Sequence, residues 1–142
     1  VITIFCNSLP IMSMDRASQS IKEQHALAVS LLEKRYQNTY DSRVAFMEEL
    51  QGHIQKYPDT QIHCSAQARL GDVLRDLARN QAAKAAYKTA YQDRRGLALA
   101  RGWAALQLGY MYLTEKKYGL ARGLFESSLT KVNHNYLYHV YN

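Results

Sequence analysis

Apolar residues recur every three or four positions through six stretches of this chain, the spacing that gathers them on one side of an α-helix, and short polar breaks divide the stretches. Asp15 stands where an N-cap belongs for a first helix to about Gln37, with Ile21, Ala28, Leu31 and Leu32 on its apolar side. Asn38-Thr39-Tyr40-Asp41 interrupts it. Asp41 or Ser42 then caps a second helix to Lys56 that turns Val44, Phe46, Met47, Leu50 and Ile54 inward. Two further helices are predicted near 62–79 and 82–94, divided by a turn at Arg79-Asn80-Gln81 and closed by Gly96 as a left-handed cap. A fifth spans about 97–114 and a sixth about 118–132. The tail carries Tyr136, Leu137, Val140 and Tyr141; it reads either as a short helix covering the last pair or as an edge that a partner or a second copy buries.

The pattern repeats with a fixed offset. Leu70-Gly71 followed by Ala83 and Tyr87 returns 38 residues later as Leu108-Gly109 followed by Ala121 and Phe125. Within each copy the Gly and the Ala lie 12 residues apart, which suits two antiparallel helices that must approach closely across a short turn. The aromatic residue one turn beyond the Ala shares its face and fills the space the small residues leave.

These residues resemble the tetratricopeptide repeat, whose pattern places Leu-Gly in a first helix, Tyr three residues after that Gly, and Ala-xxx-Phe-xx-Ala in a second. The copy at 102–135 carries Leu108, Gly109, Tyr112, Tyr118, Ala121 and Phe125, and departs from the pattern at Ala105, Ser128 and Asn133. The copy at 64–97 carries Leu70, Gly71, Ala83, Tyr87 and Ala90, and departs at Leu74 and Arg95. The period of 38 exceeds the family's roughly 34 by about one helical turn. Residues 15–60 form a degenerate hairpin, with Glu33-Lys34 where Leu-Gly belongs and Tyr57-Pro58-Asp59 at its exit; residues 1–14 precede it as an extension and 136–142 follow as a partial capping helix. The run from Tyr57-Pro58-Asp59-Thr60 to Leu70-Gly71-Asp72 is also similar to repeats of bacterial cell-envelope proteins of the Tol-Pal-associated and outer-membrane-assembly lipoprotein type. The resemblance implies an all-α, single-domain, tetratricopeptide-like helical-hairpin solenoid of about six helices plus a short C-terminal helix. It also implies a noncatalytic adaptor, scaffold or accessory subunit that binds a protein partner.

Family members take their ligands mostly from the first helix of each hairpin. The matching positions here are Ser65, Ala68, Asp72, Arg75 and Asp76, then Trp103, Leu106, Tyr110, Leu113 and Thr114. The expected groove therefore has a polar part around Asp72, Arg75 and Asp76 and an apolar-aromatic part around Trp103, Leu106, Tyr110 and Leu113, suited to a peptide or helix. The same stripe is core instead if the tail or Val1–Phe5 covers it. The Lys and Asn residues with which some family members clamp a terminal carboxylate are missing from these positions.

Charge adds a rival. Residues 1–60 hold 6 Lys/Arg and 7 Asp/Glu, whereas residues 61–142 hold 12 and 5. That imbalance fits either a solvated helix exterior or an anionic partner, RNA or a membrane surface, read through Arg94, Arg95 and Arg101. No apolar run approaches the ~20 residues of a membrane span. Val1–Cys6 reads as the start of an exported chain, a signal remnant or simply the start of a fragment, packed on a helical face rather than serving as a targeting segment, and Cys6 and Cys64 leave pairing and compartment open, periplasm or cytoplasm alike. The five histidines lack metal-pair spacing, and no CxxC, phosphate-cradling loop or nucleophile elbow occurs, so no enzyme activity, cofactor or metal is expected.

Overall fold

A computed structural model of the chain describes residues 20–132; the expected extension at 1–14, the Asp15 cap and the closing segment 136–142 lie outside the described residues. The described residues form six α-helices and no strand: α1 (20–33), α2 (Tyr40–Lys56), α3 (Gln61–Asp76), α4 (Asn80–Gln92), α5 (Ala98–Thr114) and α6 (Tyr118–Val132). From α2 onward each helix packs on the next, and α3 also touches α5. Ala28 and Leu31 of α1 join Phe46 and Leu50 of α2 in the same core. None of these helices is long and apolar enough to cross a membrane.

Two aromatic rings rest on two glycines. A Cβ added to Gly71 would lie 2.5 Å from the Tyr87 ring, and one added to Gly109 would lie 2.7 Å from the Phe125 ring. What meets each glycine is thus a side chain of the next helix, while Ala83 and Ala121 beside the rings are buried. Farther from each turn a second contact nests outside the first. The Cys64 Sγ–H donates to the Ala90 carbonyl at 3.3 Å, and the Ser128 hydroxyl donates to the Gly102 carbonyl at 2.9 Å. The nesting of 64 with 90 outside 71 with 87 means that α4 runs back along α3, and the same holds for α6 along α5. Each of these contacts recurs at an offset of 38.

The turns repeat as well. α3 ends at Leu77-Ala78-Arg79, with Ala78 at φ 59°, the Ala78 N–H on the Arg75 carbonyl and the Arg79 N–H on the Leu74 carbonyl. α5 ends the same way, with Lys116 at φ 61°, its N–H on the Leu113 carbonyl and the Lys117 N–H on the Tyr112 carbonyl. Both are Schellman closures, in which a left-handed residue satisfies carbonyls that the ending helix leaves open. The turn expected at 79–81 therefore falls at 77–79, and α3 and α4 end earlier than expected, at Asp76 and Gln92.

Three further expectations are corrected. Gly96 is not a left-handed cap, since no glycine has positive φ among the described residues. It is a point of close approach, where a Cβ would stand 2.1 Å from the Cys64 sulfur. The first helix stops at 33 rather than near Gln37, because the Lys34 carbonyl turns to accept from Arg69 Nη2 at 2.7 Å and the Gln37 N–H donates to the Ser42 hydroxyl. The cap of α2 is Thr39, whose hydroxyl oxygen accepts from the Ser42 N–H at 3.2 Å, rather than Asp41 or Ser42.

Gly71→Ala is expected to lower stability by about 1–3 kcal/mol, because the new methyl must displace the Tyr87 ring. Gly52→Ala, where nothing lies within 4 Å of the new Cβ in mid-α2, is expected to raise stability by about 0.5–1 kcal/mol. Urea unfolding followed by circular dichroism measures both.

Candidate functional site

The expected groove positions lie on α3 and α5, and the fold treats its two parts differently. Asp72, expected on the polar part, is only 3% exposed. Its carboxylate accepts from the Tyr87 hydroxyl of α4, from Trp103 Nε1 of α5 at 2.9 and 3.0 Å, and from Arg69 Nη1 at 2.6 Å. A buried carboxylate needs such a set of donors, because desolvation without them costs several kcal/mol. Asp72 thereby ties three helices together and is closed to a ligand. Burial first, and the adjoining Asp72 charge and hydrogen bond next, push the Tyr87 hydroxyl's pKa well above its ordinary value.

Arg69 extends this network toward the α1–α2 loop. Its guanidinium sits 5.7 Å from the ring centroids of both Tyr36 and Phe46 while donating to Lys34. Tyr36 in turn donates its hydroxyl to Asp76, and burial together with that hydrogen bond raises its pKa. Arg75 donates to Gln107 of α5. Asp72, Arg75 and Asp76 are therefore brought together as expected, but as joints between elements.

The apolar part remains accessible. Trp103 is 37% exposed, Tyr110 52% and Leu113 43%, with Leu106 between them half-buried and Thr114 exposed at the helix end. Tyr110 packs edge-on against Phe125, with centroids 5.2 Å apart, and divides the face into two clefts. On one side an apolar cleft of about 380 Å³ is lined by Leu106, Tyr110, Leu113, Phe125, Ser128 and Leu129. On the other, a polar cleft of about 340 Å³ is lined by Arg75, Asn80, Gln81, Gln107, Tyr110, Met111, Thr114 and Glu115. Trp103 belongs partly to the core through its bond to Asp72, so its replacement disturbs packing as well as surface.

The rival basic residues Arg94, Arg95 and Arg101 lie on and after the α4–α5 loop. Arg95 pairs with Asp59 at 2.9 Å, Arg101 is half-buried and donates to the Tyr91 carbonyl at 3.3 Å, and Arg94 stands exposed beside Arg95. A different cationic group forms where the α5–α6 turn meets α4. Lys84, Lys88 and Lys117 lie 4.8, 5.8 and 5.7 Å from the Tyr112 ring centroid. Glu115 accepts from Lys84 and pairs with Lys117 at 3.3 Å, and these lysines, Lys84 foremost, lower its pKa. The signal for this group was the i, i+4 pair Lys84/Lys88 together with Lys116-Lys117 at the turn, but only the fold of α5 against α4 joins them.

Cys64 is a buried free thiol. Burial, reinforced by Asp93 and opposed by Arg101, pushes its pKa from 9.0 up to about 12. The chain matches no protein-family model, no curated protein and no solved structure.

The raised thiol pKa fixes a sign. The folded chain holds this proton more tightly than the unfolded chain, so the contribution to stability is complete below pH 9.0 and is lost as the pH rises toward about 12. Tyr87 acts in the same direction. Between these limits Cys64→Ala is expected to lose stability less steeply than the parent, by up to about 1.4 kcal/mol per pH unit. Urea unfolding across alkaline pH checks the difference in slope.

Proposed function

We propose that this chain is a noncatalytic protein-interaction module, a tetratricopeptide-like stack of helical hairpins that receives a peptide or helical segment of a protein partner along the outer face of α5. The observation that carries the reading is the run Trp103, Leu106, Tyr110 and Leu113. Its spacing of three, four and three residues lines one side of a helix, and three of the four are at least 37% exposed. Contiguous exposed apolar surface of this kind is characteristic of binding faces, and aromatic anchors in such faces dominate affinity. The polar cleft across Tyr110 supplies Gln81 and Thr114 for hydrogen bonds that orient the segment. In support of the hairpin stack stands the recurrence at 38 residues of the ring-on-glycine contact, the Schellman turn and the Sγ/Oγ-to-carbonyl bond.

The lysines around Tyr112 favour a second reading, in which an RNA or an anionic membrane is held there through charge. Its mark is an affinity that falls steeply with salt and responds to Lys88 and Lys117 rather than to Leu106 and Leu113.

A benzophenone side chain in place of Leu113, irradiated in the cells that make the protein, is expected to join covalently to a partner protein. Leu106→Ser in the same chain is expected to lower the yield about 30-fold, the equivalent of ~2 kcal/mol. Equal yields with and without Leu106→Ser, or the same adducts from a benzophenone at position 52, would overturn the reading.

A further inference from the structure

We propose that the segment received along α5 is an amphipathic helix with an acidic side chain beside its apolar anchors, the apolar side chains entering the cleft toward α6 and the carboxylate meeting Arg75 in the polar cleft across Tyr110. The inference rests on the partner-binding reading and adds to it a conformation and a charge. Residues 103–113 lie within α5, so their main-chain N–H and C=O groups are taken up along the helix, and the facing α6 is helical too. Among the described residues this face has no open main-chain edge with which a strand could pair. An extended segment would bury unpaired amide groups against Leu106, Tyr110 and Leu113, at ~1–3 kcal/mol each, whereas a helix arrives with its main chain already paired.

The two clefts set the pattern such a helix carries. Tyr110 stands between them, with Leu106, Leu113 and Leu129 on one side and Arg75, Gln81 and Thr114 on the other. A helix laid across Tyr110 presents one row of side chains, three and four residues apart, to the first cleft and a flanking row to the second. Apolar residues suit the first row. The flanking row meets charge.

Around the polar cleft one cation lacks a carboxylate of its own. Arg75 Nη1 donates to Gln107, but Nη2 stands 3.9 Å from Asp72 Oδ1, beyond hydrogen-bond length, and the side chain is 38% exposed. Asp72 has its donors already in Arg69, Tyr87 and Trp103. Glu115, which lines the cleft, is shared by Lys84 and Lys117, and Asp76 accepts from the Tyr36 hydroxyl of the α1–α2 loop. Arg69, Arg75, Lys84 and Lys117 thus face Asp72, Asp76 and Glu115, four cations to three carboxylates. A carboxylate from the partner completes the set on the outward edge of the Arg75 guanidinium, whereas a basic side chain there meets like charge.

The test titrates the full chain with three synthetic peptides of about 16 residues, free of tryptophan, each with leucines three and four apart on one side. One carries glutamates in the flanking row, one carries lysines in their place, and one keeps the glutamates but has a central proline that breaks the helix. Binding is read from the fluorescence of Trp103, the chain's single tryptophan, 37% exposed on the same face. The glutamate peptide is expected to bind about tenfold more tightly than either of the others. Arg75→Gln is expected to shrink its advantage over the lysine peptide to about threefold or less. Gln81→Glu is expected to do the same with Arg75 in place, since it adds a carboxylate to the cleft in the first turn of α4, where an acid suits the helix. Equal binding of the glutamate and lysine peptides, both lost in Leu106→Ser, would overturn the charge while leaving partner docking on α5 in place, and a proline peptide that binds as well as the unbroken one would overturn the helix. Binding by none of the three, or binding indifferent to Leu106→Ser, counts against both readings. Self-association of the parent that Leu106→Ser abolishes, measured by sedimentation, gives the face to a second copy and overturns the proposal.

Discussion

The packing of α3 to α6 follows from an aromatic ring lying where a side chain is missing. Tyr87 on Gly71 and Phe125 on Gly109 bring the second helix of each pair close to the first, and the interiors of proteins leave little slack at such a contact. The ring's outer edge then decides what its neighbour one position past the glycine must be. Tyr87 carries a hydroxyl and meets the carboxylate of Asp72; Phe125 carries none and meets the aromatic side chain of Tyr110. One position on the second helix and one on the first have thus changed together, from a hydrogen-bonded pair to an edge-to-face pair, while the glycine stayed.

That exchange explains why the two ends of the α5 face behave differently. Asp72 draws donors from α4, α5 and its own helix, and a charge so enclosed holds its neighbours in one arrangement. The surface around it is sealed by Trp103. Around Tyr110 no charge has to be satisfied, and apolar side chains stand open to whatever apolar segment meets them. The candidate site lies at the outer end of the fold because the inner copy of the same surface is already occupied.

Much of this was legible in the order of residues. The spacing of Gly71 to Ala83 and of Gly109 to Ala121, with the aromatic residue one turn on, located α3 to α6 and their pairing, since small and large residues at helical intervals leave few ways to pack. The turns were not legible, because the left-handed positions are held by Ala78 and Lys116 rather than by glycine, and a residue without the usual signature is read as helix. Gly96 erred in the opposite sense: its missing side chain serves the sulfur of Cys64, 32 positions away, rather than its own backbone. Asp72 was read as a groove residue because it matches a position from which tetratricopeptide repeats take their ligands. Its partners Tyr87 and Trp103 lie 15 and 31 positions off and are gathered only by the tertiary fold. The cationic group around Tyr112 was missed for the same reason.

The bond between a sulfur or hydroxyl and a carbonyl runs in opposite directions in the two copies, from α3 to α4 through Cys64 and from α6 to α5 through Ser128. The halves of this chain are consequently not spare parts for one another. A graft that moves one helix of a pair into the other unit carries either two donors or two bare surfaces to the join, so the smallest portable piece is a whole pair, and diversification of such a chain proceeds in steps of two helices.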